Sequence, residues 1–169
     1  MPSKLELRPP TPFDGMAVFE LIESCPPLDT NSSYCNLLQA THFSDTSVAA
    51  EQDGKLVGFI SGYLVPGRPD TLFIWQVAVA EQARGQGLAG KMLQNILARQ
   101  NDSQVSYLET TITKSNQASW ALFTSLAKQL NTDIHSSVMF DKEKHFNGQH
   151  DSEELVRIGP FNTASSKQS

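Results

Sequence analysis

The sequence predicts an α/β domain built on a mixed central sheet of about seven strands with flanking helices. Three observations lead there. Apolar alternation and short apolar runs recur along the chain between stretches of helical spacing, in the order β, α, α, β, β, β, α, β, α, β, β. Asp53-Gly54 stands between two apolar runs, a hairpin signal that makes part of the sheet antiparallel. Thr71 to Val79 is nearly continuously apolar, as in a strand covered on both faces, and runs into the glycine-rich turn Arg84-Gly85-Gln86-Gly87.

The elements follow in order. Leu5-Glu6-Leu7-Arg8 alternates as a first strand and is stopped by Pro9-Pro10. Thr11-Pro12 opens a helix with Phe13, Met16, Ala17 and Leu21 at helical spacing, ending before Cys25-Pro26-Pro27. Leu28 to Ser33 reads as loop and Tyr34 to Ala40 as a short helix. Val48 to Glu51 and Leu56 to Tyr63 form the hairpin, and Pro66-Gly67-Arg68-Pro69 reads as the next loop. Leu88, Met92, Leu93 and Ile96 mark one face of a helix running to about Arg99. Val105 to Ile112 is a strand, and Ser115-Asn116 opens a helix through Leu122, Phe123, Leu126 and Leu130. Strands around 137–140 and 155–158 complete the order. Residues 1–162 read as a single domain, and the Ser-rich 163–169 as a disordered tail.

A length of 169 residues, 39% hydrophobic and 18% charged, suits one domain with a proper core. The net charge of −5 and the lack of a Lys/Arg run argue against a nucleic-acid surface. Cys25 and Cys35 have no metal-type spacing and read as reduced, small apolar residues. Neither a membrane span nor a signal core is visible, so a cytoplasmic protein is expected.

The turn after the Gln76-Val77-Ala78-Val79 strand carries the clearest chemistry. Helix N-termini present unpaired N–H groups and a partial positive charge, and so hold phosphate. Gly85 and Gly87 let the backbone approach such an anion, and several amides together with Arg84 suit a pyrophosphate. A P-loop is unlikely, since no Lys-Ser/Thr follows the glycines.

Arg84-Gly85-Gln86-Gly87-Leu88-Ala89 matches the acetyl-CoA signature Q/R-x-x-G-x-G/A, with an overlapping match from Gln82. In its strand–turn–helix context it resembles the GCN5-related N-acetyltransferase family. Asn116 with Leu122 and Phe123 is similar to that family's next helix, in which the Asn touches the cofactor. The resemblance implies a sheet whose fourth and fifth strands splay to admit acetyl-CoA, the co-substrate. It also implies a backbone lining of Val77, Ala78 and Val79 along the pantetheine arm, one N–H of which can polarise the thioester carbonyl. Gly85, Gln86, Gly87, Leu88, Ala89, Arg84, Asn116 and Phe123 complete the implied cofactor set. No metal is expected.

The stretch from Cys25 to Leu38 resembles the substrate loop of the diaminobutyrate acetyltransferases within this family, and Phe73 to Val79 and Leu108 to Thr113 are also similar to them. The resemblance runs from about Leu7 to Gly159. It implies acetylation of the 4-amino group of L-2,4-diaminobutyrate, a step of ectoine synthesis, by a homodimer. Another amine (a polyamine, an aminoglycoside, a protein N-terminus) and a non-catalytic acyl-CoA sensor remain as alternatives.

Acetyl transfer needs a neutral amine, whereas an alkylammonium has a pKa of about 10. Glu109 is the expected base, with substrate binding or a plain ion pair as its other possible uses. Asp29 and Tyr34 lie in the loop implied to cover the acceptor: Asp29 attracts an ammonium, and the Tyr34 hydroxyl bonds the acceptor or serves as an acid. Both residue types also simply make turns and caps. Trp75 offers a wall and a cation–π surface, or plain core. Of His135, His145 and His150, the last is the expected pocket residue by resemblance. Phe123 stands where the family often has a proton-donating Tyr, so the thiolate must leave without it.

Overall fold

The computed structural model describes residues 4–100 and 104–162. The proposed tail, 163–169, lies outside them. Seven strands form one sheet: β1 (Leu5–Arg8), β2 (Val48–Gln52), β3 (Lys55–Val65), β4 (Arg68–Val79), β5 (Tyr107–Ile112), β6 (Ile134–Phe140) and β7 (Glu153–Ile158). Their spatial order is β1-β2-β3-β4-β5-β7-β6, antiparallel throughout except for the parallel β4–β5 pair.

The helices are α1 (Gly15–Glu23), α2 (Ser33–Thr41), α3 (Leu88–Ala98) and α4 (Gln117–Gln129). α1 and α2 pack on each other and on β3, while α3 packs on β2, β3, β4 and α4. The α3 stripe of Leu88, Met92, Leu93, Ile96 and Leu97 is buried with Phe59, Leu72, Leu108, Phe123 and Leu126 in one apolar core. Cys25 is buried and Cys35 partly so, and neither forms a disulfide.

Two local expectations change and one holds. The first helix begins one turn later, at Gly15, because Thr11 and Asp14 form a capping box around a 3-10 turn. Its buried face is therefore Val18, Leu21 and Ile22, and Phe13 (98% exposed) and Met16 stay in solvent. Arg68, Pro69 and Asp70 belong to β4 rather than to a loop, so the turn is tighter and centred on Gly67, whose φ is +81°. The expected Asp53-Gly54 hairpin turn has φ of +54° and +82°, the primed-turn geometry.

The sheet opens in its middle. β4 pairs with β5 only from Thr71 to Ile74, against Tyr107 to Thr110. Beyond Ile74, β4 stays with β3, and the last residues of β5 stay with β7. A bulge places Trp75 as the extra residue of β4 between Ile74, opposite Gly62, and Gln76, opposite Ser61. Bulges bend the strand that carries them. The Gln76 N–H donates to the Ser61 hydroxyl (3.2 Å) at this bend, and the Thr110 hydroxyl donates to the Ile74 carbonyl (2.9 Å), closing the apex of the wedge. Gly62 is required opposite the bend: a Cβ there would stand 2.6 Å from the Thr46 carbonyl oxygen and 3.0 Å from that of Phe73.

Candidate active site

A cavity of about 800 Å³ fills the wedge. β4 contributes Trp75, Gln76 and Val77, β5 contributes Thr110 to Ile112, and the start of α4 contributes Asn116 to Ser119. Two loops close over it. The α1–α2 loop supplies Asp29, and its position is set by Gln76, whose amide nitrogen donates to the Asp29 carbonyl (2.7 Å) while its oxygen accepts from the Asn31 side chain (2.7 Å). The β6–β7 loop supplies Lys142, His150 and Asp151.

Glu153, the first residue of β7, lines this cavity and was not anticipated from the sequence. Its Oε2 is buried without a hydrogen-bond partner. Burial raises its pKa, with Asp29 adding to the rise, while His150 and a hydrogen bond with Thr111 oppose it. A buried carboxylate oxygen with no partner is expensive unless a ligand group fills the gap. Its signal in the sequence was slight: Asp151-Ser152-Glu153-Glu154 resembles any acidic surface loop.

His150 donates through Nδ1 to the Asp151 carbonyl (2.6 Å), since a carbonyl can only accept. Its ring packs on Phe146 with centroids 4.5 Å apart. Without a proton on it, the His150 Nε2 is an acceptor, 3.8 Å from the Asp29 carboxylate. Two acceptors at that spacing form a seat for an N–H donor. His145 accepts from the Asp141 N–H and holds the β6–β7 loop, and His135 is exposed on β6.

Glu109 is placed otherwise than expected. It lies opposite Phe73 in the paired part of the sheet, before the wedge opens, and does not line the cavity. Arg68 binds both its oxygens at 3.0 Å and Arg157 donates to Oε2 at 2.6 Å. Arg157 in turn stacks on Tyr107, 3.7 Å from the ring centroid. Burial works to raise the Glu109 pKa, but the hydrogen bonds from Arg68 and Arg157 outweigh it and hold the carboxylate below its ordinary value. Its proton-accepting capacity is already taken up, which suits a structural ion pair and not a base. Tyr34 is also displaced from its expected role. It is 68% exposed in the first turn of α2 and is not part of the cavity wall.

On the cofactor side, Gly85 and Gly87 adopt φ of +77° and +73°, with open space where a Cβ would stand. Gly87 is the N-cap of α3 and has no side chain to bond the first-turn amides of Leu88, Ala89 and Gly90, which stay free for an anion. The Arg84 Nε donates to the Val79 carbonyl (3.0 Å), tying turn to strand. Ala78 is fully buried, so only its main chain can serve a ligand. Asn116 caps α4 by accepting from the Ser119 N–H (3.2 Å), and Phe123, 2% exposed, forms an apolar part of the cavity wall.

The chain, with its strand wedge and its glycine turn at a helix N-terminus, matches the Acetyltransferase (GNAT) family over residues 16–127. This chain belongs to the GNAT acetyltransferase family. It is 60% identical over 157 residues to the L-2,4-diaminobutyric acid acetyltransferase of Methylotuvimicrobium alcaliphilum, covering 93% of this chain and 91% of the relative. It is 49% identical over 162 residues to the enzyme of that name from Halomonas elongata, covering 95% and 84%. Among solved structures, the diaminobutyrate acetyltransferase EctA of Paenibacillus lautus, in complex with L-2,4-diaminobutyric acid and coenzyme A, superposes with a TM-score of 0.90 at 40% identity, covering 95% of this chain and 97% of that one. The ribosomal-protein-S18-alanine N-acetyltransferase of Escherichia coli, 15% identical with a TM-score of 0.69, shares the fold.

Proposed function

We propose that this GNAT acetyltransferase transfers the acetyl group of acetyl-CoA to the 4-amino group of L-2,4-diaminobutyrate in the synthesis of ectoine. The high identity to diaminobutyrate acetyltransferases supports the acceptor. The observation that carries the mechanism is Glu153, an unpartnered carboxylate oxygen beside the wedge into which a thioester would be led.

The acceptor arrives as an ammonium, with a pKa of about 10. Glu153 takes the proton from the 4-ammonium, and its raised pKa makes it a better base than an ordinary carboxylate. Asp29 and the His150 Nε2 seat the second ammonium between them, and Trp75 walls the aliphatic chain. The freed amine attacks the thioester carbonyl, a C–N bond forms and the C–S bond breaks, and the second proton shed by the nitrogen as it becomes an amide passes to water. A main-chain N–H of Val77, Ala78 or Val79 holds the developing oxyanion. Phe123 offers no proton, so the CoA thiolate leaves directly, its acidity being similar to that of a Cys thiol at about 8.5. The residues Arg84 to Ala89 hold the pyrophosphate, with Asn116 flanking the pantetheine arm.

We also assign the chain to the cytoplasm, where acetyl-CoA is available, and to a homodimer. No helix among the described residues is long and apolar enough to cross a membrane. β6 is an edge strand exposed along most of its length, with Val138, Met139 and Phe140 in solvent, a surface suited to cover by a second copy.

The test is release of CoA thiol from acetyl-CoA with L-2,4-diaminobutyrate, ornithine, lysine or spermidine, with the product mapped by NMR. Turnover selective for diaminobutyrate and acetylation at N4 are expected. Turnover confined to another amine would remove the acceptor assignment, and CoA binding without turnover would remove the catalytic one.

A further inference from the structure

We infer that Lys142 recognises the α-carboxylate of the acceptor and thereby selects an amino acid over a plain diamine. The inference rests on the diaminobutyrate reading and deepens it. Of the described residues lining the cavity, Lys142 is the only Lys or Arg. The other charged lining groups are Asp29, Asp151 and Glu153, with His150 beside them. A site with those three carboxylates alone suits any diamine and repels a ligand that carries its own carboxylate. An acceptor with two ammoniums and one carboxylate needs one cation among the anions, and Lys142 supplies it.

Its placement suits that task. The Lys142 N–H donates to the Ser152 hydroxyl (2.8 Å) and its carbonyl accepts from the Gly148 N–H (2.8 Å). The following turn is held by Asp141 Oδ2, which accepts from the N–H groups of Glu143 and Lys144 at 2.9 Å each. The backbone is thus pinned, but the ammonium has only a long contact of 3.9 Å with the exposed Asp151. Such a pair is worth little, and a ligand carboxylate displaces it at small cost. Three features then meet the three ionic groups of diaminobutyrate: Glu153 the 4-amine, Asp29 with His150 the 2-amine, and Lys142 the carboxylate.

The experiment compares L-2,4-diaminobutyrate with 1,3-diaminopropane, the same diamine lacking the carboxylate, on wild type, Lys142→Met and Lys142→Arg. Lys142→Met removes the charge and keeps the stem, at a half-exposed side chain whose loss does not threaten the fold. It is expected to lower kcat/KM for diaminobutyrate about tenfold, the loss of one charged hydrogen bond, mainly through KM. Activity on diaminopropane should hold or rise, KM for acetyl-CoA should stay at the wild-type level, and Lys142→Arg should retain the preference for diaminobutyrate. Equal losses on both acceptors, no loss on either, or a raised KM for acetyl-CoA would overturn the subsite. Wild type that fails to acetylate diaminobutyrate at all would overturn the underlying reading together with it.

Discussion

Replacing Glu109 by Gln decides between the two carboxylates Glu109 and Glu153. Glu109 accepts three hydrogen bonds from two guanidiniums and is 2% exposed. Gln keeps one acceptor but turns an amide N–H₂ towards a guanidinium, leaving Arg157 without the Glu109 charge and Arg68 with only the weaker attraction of Asp70. Breaking a buried pair by removing one partner costs about 3–5 kcal/mol. Arg68 is 48% exposed and Arg157 33%, so water recovers part of that loss. We expect a destabilisation of roughly 2–3 kcal/mol, a fall in Tm of about 4–12 °C for a domain of this size. The pH dependence follows from the depressed pKa of Glu109 in the folded state. Its stabilisation is fully present above the ordinary carboxylate pKa of 4.5 and is lost as the pH falls through the lower folded value. The gap in Tm between wild type and Glu109→Gln should therefore close in acid. Thermal unfolding between pH 3.5 and 8, with CoA release measured at 20 °C, reads both effects. A variant as stable as wild type but with turnover reduced a hundredfold or more would refute the reasoning and return Glu109 to the chemistry.

Glu153→Gln should lower kcat by about 10²–10⁴, the usual worth of a general base, while leaving acetyl-CoA affinity unchanged, as measured by steady-state kinetics and calorimetry. In wild type the acidic limb of kcat/KM should fall above the ordinary carboxylate range, because activity needs deprotonated Glu153 and burial raises its pKa. Loss of that limb in the variant checks the assignment. Gly87→Glu should raise the Kd for acetyl-CoA at least a hundredfold by placing a carboxylate at the anion site. The open space around its Cβ lets the fold survive at about 1 kcal/mol for the left-handed backbone, which a melt compared with wild type will show. Gly62→Ala should destabilise by about 2–3 kcal/mol in urea titration and weaken acetyl-CoA binding, since its Cβ collides with two carbonyl oxygens behind the bulge that opens the wedge.

Which parts of this protein were legible before its structure depends on how local the signal is. The Asp53-Gly54 turn, the apolar stripe of α3 and the strand–glycine–helix passage are written in consecutive residues, because φ preference, side-chain period and amide approach are properties of neighbours in the chain. The glycine turn and the family resemblance could therefore be read directly. The start of α1 was misread because Thr11 and Asp14 cap a 3-10 turn first, which rotates the buried face from Phe13 and Met16 to Val18 and Ile22.

The acceptor site is of the other kind. Glu109 and Glu153 are both glutamates on strands, and nothing within a few residues of either tells them apart. Arg68 reaches Glu109 across 41 positions and Arg157 across 48, through strand pairings that form only when β5 lies between β4 and β7. The same pairing leaves Glu153 at the start of β7 beside Thr111, partly desolvated and with its Oε2 unpartnered. The sequence by itself determined the family, the glycine turn that opens α3 and the order of elements, because these rest on short-range geometry. Which carboxylate is neutralised by arginines and which keeps an oxygen without a partner was decided only by tertiary structure, because a carboxyl's proton affinity is set by burial and by charges brought from distant parts of the chain.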